Sequence, residues 1–434
     1  MENHKNNLDI FLNLNVRGLS QSATLLINER SQQLEAEGRH IYRLGLGQSP
    51  FPVPYPVVDA LKNNAHQKSY LPVKGLPQLR EAVAEYHHRT QGIECSSEDV
   101  MIGPGSKELM FLLQLIYYGD LVIPTPSWVS YAPQAHIIGR HVRWLITRSE
   151  SDWQLTADEL YRLCEQDPGR PRIVILNYPA NPTGRTYTTE ELRKLADVAR
   201  ENQVIVLSDE IYGELHHEGM HVSIARFYPE GTIISGGLSK WCGAGGWRLG
   251  TFVFPPNLRK LLNSLAVVAS ETYTSTSAPI QYAAVRAFQG GIIIERYLCN
   301  TRRILRALGN YLTEQLREMN IQVSQPQGAF YLFPDFKKHK KQLNQKKIKT
   351  SRELCESLLL EAGVAILPGE VFGRPPEELT ARLSYVDFDG ARALAAAEQV
   401  PPHESLSEEF LKHYCNHTIE AVHKICEWLE CDKK

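Results

Sequence analysis
Lys240 sits in GGLSKWCGAGGWRLG, residues 236–250, directly after a strand-like apolar run. The surrounding glycines let a large ligand approach the backbone closely, and an amine there can condense with a carbonyl. Arg248, eight residues on, is a plausible partner for a phosphate. In VIVLSDEIYGE, residues 204–214, Asp209 ends another apolar run and Tyr212 follows three residues later. A carboxylate at a strand end can pair with a ring cation, although it can equally cap a helix. NYPANPTGRTY, residues 177–187, offers the amide of Asn181 on a turn fixed by Pro182 and Gly184. In MIGPGSKEL, residues 101–109, a glycine turn enters a helix whose free N–H groups suit a phosphate. The GxxxxGK spacing of a P-loop is absent, and the segment is a poor dinucleotide fingerprint.

Taken singly, each piece has an ordinary reading as a loop lysine, a helix cap or a turn. Together they meet the demands of one cofactor, pyridoxal phosphate. It requires an amine for its carbonyl and a carboxylate beside its ring nitrogen. It also requires donors for its ring oxygen, and amides with a cation for its phosphate. An amino-acid substrate adds a guanidinium for its carboxylate.

The elements that must carry these residues are legible as well. VMIGPG, DLVIPTP, RIVILNYP, VIVLSDE, TIISGG and GTFVFP are short apolar runs that end in turns. Between them run amphipathic stretches such as KELMFLLQLIYY, TTEELRKLADVARENQ and PNLRKLLNSLAVVAS. This alternation predicts an α/β fold with a mostly parallel, doubly wound sheet, which binds ligands beyond the carboxyl ends of its strands. After about residue 290 the texture changes. ERYLCNTRRILRALGNYLTEQLREM predicts one long amphipathic helix, and GAFYLF, VAILPG and RLSYVD predict short strands. The expected organisation is a large domain over 61–305 and a smaller α+β domain built from 1–60 and 306–434.

At 434 residues the chain is long enough for two domains. A net charge of −2 gives no reason to expect nucleic acid or an anionic membrane as a partner. No apolar run approaches a membrane span, and the N-terminus lacks a secretory pattern. The eight cysteines are scattered without a CxxC pair, which predicts reduced thiols and a cytoplasmic location. The seven lysines of 336–349 predict a solvated loop. His413 and His417 stand four apart, a spacing open to a metal, but a solvated helix face is the expected reading and no metal site is assigned.

The lysine segment resembles the lysine motif of class I aminotransferases, a fold-type-I pyridoxal-phosphate family. The other segments follow in that family's order from about residue 20 to about residue 386: the glycine-rich PxF loop, Y…P…G…LR, GS, PSW, NPTG, SDEIY, GAFYLF, PG..FG and RLSY. QSATLLINE also resembles the start of the bacterial subgroup that includes aspartate and prephenate aminotransferases. The resemblance implies that Lys240 holds the cofactor, Asp209 pairs with the ring nitrogen, and Asn181 and Tyr212 bond the ring oxygen. It implies that Trp128 stacks on the ring. Gly105, Ser106 and Lys107 would cradle the phosphate, with Arg248 adding charge. Arg382 would clamp the substrate α-carboxylate, assisted by the backbone of Gly47, while Asn181 and Trp128 also border the substrate. Tyr70 would reach the phosphate of a neighbouring subunit, so a homodimer with shared sites is implied.

The implied activity is ping-pong transfer between an L-amino acid (aspartate, glutamate or aromatic) and a 2-oxo acid. A carbon–sulfur β-lyase and a catalytically silent binding protein of the same fold remain alternatives. Two departures stand out. Gly237 occupies the position where many relatives carry Ser or Thr as a phosphate ligand, and the 387–410 segment is long, which points to a role at the substrate entrance.

Overall fold
The computed structural model describes residues 11–19 and 21–430. A seven-stranded sheet forms its centre: β2 (Val100–Gly103), β3 (Asp120–Thr125), β4 (Val142–Ile146), β5 (Arg172–Asn177), β6 (Ile205–Asp209), β7 (Thr232–Gly237) and β8 (Gly250–Val253). The strand order is β2-β8-β7-β6-β5-β3-β4. Strands from β7 through β6, β5 and β3 to β4 pair in parallel, and β8 runs antiparallel between β7 and β2. The sequences RIVILN and IVLSD are rich in β-branched residues and buried on both faces, as strands covered by helices on each side must be. The six expected runs all form strands. The seventh, β4, reads VRWLI; Trp144 and Ile146 are exposed on this edge strand, so its pattern lacks the continuous burial that marks its neighbours.

The remaining strands are short. β1 (Tyr42–Arg43) pairs in parallel with β10 (Val364–Ala365). β11 (Leu367–Pro368), β12 (Ala381–Ser384) and β9 (Tyr331–Leu332) form an antiparallel sheet in the order β11-β12-β9. The expected long helix spans Ile292–Glu318 and buries Ile304, Leu305, Leu308, Leu312 and Leu316 along one stripe.

Three expectations need correction. The lysine-rich segment is not a plain loop. It contains a helix over Lys340–Gln345, and Phe336, Leu343 and Ile348 are buried, so apolar anchors at three points outweigh the lysines between them. His413 and His417 do not share a helix. One helix, Glu408–Tyr414, ends before Cys415 and the next, Asn416–Glu430, begins after it. The 387–410 segment lines no part of the candidate site described below. Its helix Gly390–Ala397 leads into a turn whose carbonyls at Val400, Pro401 and Glu404 receive the buried Arg303 guanidinium.

Close backbone packing joins the sheet to the helix Ser106–Ile116. A side chain added at Gly250 would meet the Ser106 nitrogen at 2.1 Å and the Gly105 carbonyl carbon at 2.4 Å. Both obstacles are main chain and cannot rotate away. Gly250→Ala is therefore expected to destabilise the fold by about 1–3 kcal/mol, read as a lowered midpoint in urea unfolding; an unchanged midpoint would refute this packing constraint.

Candidate active site
The carboxyl ends of β5, β6 and β7 open on a cavity of about 490 Å³. Its wall brings together Gly47, Ser106, Lys107, Trp128, Asn181, Asp209, Tyr212, Lys240 and Arg248. These come from segments up to 200 residues apart, and the strand register explains the match. Asn177 at the end of β5 lies opposite Asp209 at the end of β6, which lies opposite Ser235 in β7.

One end of the cavity is acidic and dry. Asp209 is 3% exposed. Tyr131 donates its hydroxyl to Oδ2, and Ser235 donates to Oδ1 at 3.3 Å. Burial nevertheless raises its carboxyl to about 6 against these donors. A buried carboxylate with hydroxyl partners but no abutting cation suits a positively charged ligand atom.

Lys240 lies across from it. Its Nζ donates to the Gly47 carbonyl at 2.7 Å. Burial lowers its amine to about 8; the charges of Arg382, Arg248 and Lys107 act in the same direction and Asp209 opposes them. An amine held near neutrality is a usable nucleophile and base.

The other end is cationic. The helix Ser106–Ile116 begins here with Gly105, at φ +91, as its N-cap. A Cβ on Gly105 would stand 2.2 Å from Nη2 of Arg248, so only glycine admits the guanidinium over the helix start. Lys107 lies with its Nζ 5.0 Å from the Trp128 ring centre, its amine lowered by burial and then by Arg248. Free amides and a guanidinium at one point suit a phosphate.

Two residues of the expected set, Gly105 and Arg382, are not in the cavity wall but adjoin residues that are. Gly105 contributes backbone only. Arg382, in β12 and 1% exposed, donates from Nη1 to Asn181 Oδ1 at 3.1 Å and from Nη2 to the Gly45 carbonyl. Its Nε has no hydrogen-bond partner, and among the described residues no carboxylate pairs with it. Tyr70 is not brought to this cavity: it is 89% exposed on the surface of the same chain. Gly237 has φ +148, and a Cβ there would lie 2.6 Å from the Leu249 carbonyl oxygen. A Ser or Thr therefore does not fit this backbone, and the neighbouring Ser239 stands in the cavity wall instead.

Sequence reasoning missed four residues. Asn177 donates to the Asp209 carbonyl at 2.9 Å and accepts from the Asn181 N–H at 2.8 Å. It ends its strand as Asp209 does, and that parallel was available as a signal. Ser235 sits inside a buried strand and gave none. Tyr131 is three residues beyond Trp128, but only the fold reveals its hydroxyl against Asp209. Tyr331 shares a hydrogen bond of 2.6 Å with the Tyr212 hydroxyl, and lies so close to Gly47 that a Cβ there would meet its oxygen at 2.1 Å. A larger groove, about 1000 Å³ and mostly apolar, adjoins at Lys107. It lacks a buried amine facing a buried acid, so the chemistry belongs to the smaller cavity.

A doubly wound sheet with a lysine and a carboxylate facing one another at its carboxyl edge, beside a small α+β unit, defines a fold-type-I transferase. The family model of aminotransferase class I and II matches residues 39–397. The aspartate aminotransferase of Geobacillus stearothermophilus is 34% identical over 381 residues, covering 85% of this chain and 93% of that one. The aspartate/prephenate aminotransferase of Thermus thermophilus is 30% identical over 366 residues, covering 83% and 91%. The solved structure of Thermus thermophilus aspartate aminotransferase with maleate superposes with a TM-score of 0.81 at 28% identity, covering 96% of this chain and all of that one. The chain belongs to the class I and II aminotransferases and is a transaminase.

The raised Asp209 carboxyl has a measurable consequence in the cofactor-free protein. Its folded value lies above its ordinary 3.8, so its contribution to stability is full below about pH 4 and is lost as pH rises through about 6. Asp209→Asn carries no such dependence. Wild type is expected to lose on the order of 3 kcal/mol relative to the variant between pH 4 and 7, measured by urea unfolding; parallel curves would contradict the burial of an unpaired acid.

Proposed function
We propose that the chain uses pyridoxal phosphate to move an amino group between an L-amino acid and a 2-oxo acid in two half-reactions, with aspartate as the leading donor. The observation that carries this reading is the buried Lys240 amine facing the buried Asp209 carboxyl across one cavity. When bound, the cofactor supplies an electron-withdrawing ring that accepts the electrons of the substrate Cα–H bond.

The chain's own residues do the rest. Asp209, dry and hydrogen-bonded by Tyr131 and Ser235, holds a proton at the ring nitrogen. Asn181 and Tyr212 present donors to the ring oxygen, and Tyr331 orients the Tyr212 hydroxyl. Trp128, in the cavity wall, would offer its indole face to the ring. The amides of Gly105, Ser106 and Lys107, with Arg248, take the phosphate. Lys240 would hold the cofactor through its amine, and its Nζ, when not so engaged, would serve as the base that takes and returns the substrate Cα proton. Arg382 receives the α-carboxylate, with the Gly47 backbone beside it. The relatives named for aspartate support a dicarboxylate donor, and the Lys107 ammonium, beside the Trp128 ring, suits its second carboxylate.

The surface position of Tyr70 suits reach into a second copy of the chain, so we assign a homodimer with shared sites. We assign 61–305 as the cofactor-holding domain, since β2–β8 all fall within it, and 1–60 with 306–434 as the smaller one. No helix among the described residues is long and apolar enough to cross a membrane. The cysteines of the described residues are all free, which supports the cytoplasm.

Lys240→Ala is expected to abolish both transamination and the visible absorbance of bound cofactor; turnover at the wild-type rate would end this reading. Lys107→Ala is expected to lower kcat/KM for aspartate by roughly 10–100-fold, the worth of one charge-assisted contact, while sparing alanine. An equal loss for both substrates would remove Lys107 from substrate choice.

A further inference from the structure
Away from the cavity, His40 and His417 meet on the surface, 377 residues apart in sequence. His40 lies two residues before β1, and His417 is the second residue of the C-terminal helix Asn416–Glu430. Their Nε2 atoms are 3.2 Å apart. Their rings stand at 90° with centroids 5.1 Å apart.

Both a hydrogen bond and a shared ion bring two imidazole nitrogens this close. Two imidazoles joined head-on by an N–H···N bond of that length would have centroids about 5.5 Å apart. Two imidazoles converging on one ion at about 2.1 Å, with an angle near 100°, stand about 3.2 Å apart at nitrogen and about 5.0 Å at ring centre. The observed pair, at 3.2 Å and 5.1 Å, is compatible with the second geometry as well as with a bent hydrogen bond.

The surroundings hold that geometry in place. His417 Nδ1 lies 2.9 Å from Asp387 Oδ2, so the ring N–H points at the carboxylate and the Nε2 lone pair points at His40. Asp387 is itself immobilised, accepting the Arg43 N–H at 2.7 Å on the same oxygen, while its carbonyl accepts the Thr418 hydroxyl at 3.0 Å. The Tyr42 ring packs against both imidazoles, each at 4.7 Å. His40 is exposed, so an ion can reach the pair from solvent.

We propose that His40 and His417 form a binding site for a zinc-class divalent cation, with Asp387 orienting His417 from behind. Among the described residues no three His, Cys, Asp or Glu side chains gather at one point, so the ion has two protein ligands and water completes its shell. Its effect is mechanical. It pins the start of β1 to the C-terminal helix, and the same strap runs seven residues on to Gly47, whose carbonyl receives Lys240. The site rests on side chains outside the transaminase chemistry and stands or falls independently of it.

The test is zinc alone, titrated into the cofactor-loaded full chain in competition with a chromogenic chelator. Wild type is expected to hold one zinc equivalent that His40→Gln and His417→Gln both lose. Asp387→Asn is expected to bind it roughly 10–100-fold more weakly. His413→Gln, four residues from His417 and bonded to Arg392, is expected to bind as wild type. Retention of the equivalent in His40→Gln or His417→Gln, or its loss in His413→Gln, overturns the site. A second measurement needs no variant: zinc should slow diethylpyrocarbonate modification of His40 and His417 and leave His413 unchanged. Equal reactivity with and without zinc overturns the proposal.

Discussion
The rest of the site depends on a carboxylate that has been taken out of water. Asp209 terminates β6 in the interior of a seven-stranded sheet, where no solvent compensates its charge. Every neighbour answers that constraint. Tyr131 and Ser235 donate to it, Asn177 fixes its backbone, and the strand register sets all of them at one level. What remains uncompensated is a demand for a cation in the cavity, and the ring nitrogen of the proposed cofactor meets it.

The polarity of the fold supplies the opposite requirement at the far end. Parallel strands deliver their carboxyl ends, and the helix that follows β2 delivers its N-terminus, to the same opening. Arg248 adds charge there and is admitted only because residue 105 lacks a side chain. The cavity is thus acidic at one end and cationic at the other, with Lys240 between them. The small unit closes it: β12 carries Arg382, the strap around Gly45 and Gly47 accepts from Arg382 and Lys240, and Asn181, in the turn after β5, bonds the same guanidinium. On the proposed reading the substrate carboxylate is received where two parts of the chain meet.

Much of this was legible in the sequence because it is local. Six apolar runs ending in turns gave the central strands, and the residues at their ends gave Asp209, Asn181 and Lys240. The less legible parts depend on long-range contacts. The half-exposed β4 lacks the burial pattern of its neighbours, and Tyr131 and Tyr331 have no distinguishing spacing until the fold sets their hydroxyls against Asp209 and Tyr212. The lysine-rich segment misled because its charge outnumbers the three apolar side chains that anchor it. Arg382 and Tyr70 were reached only through family resemblance. The first is buried outside the cavity wall, and the second is exposed on the surface.

The central claim is that Asp209 acts through the ring nitrogen of a cofactor held by Lys240. It is tested most directly by a single-turnover half-reaction with aspartate, comparing pyridoxal phosphate with an analogue that carries carbon in place of that nitrogen. The account predicts that both ligands bind, since Lys240 and the phosphate contacts are common to them, and that only the nitrogen-bearing cofactor accepts the amino group at an appreciable rate. Equal rates with the two would contradict it.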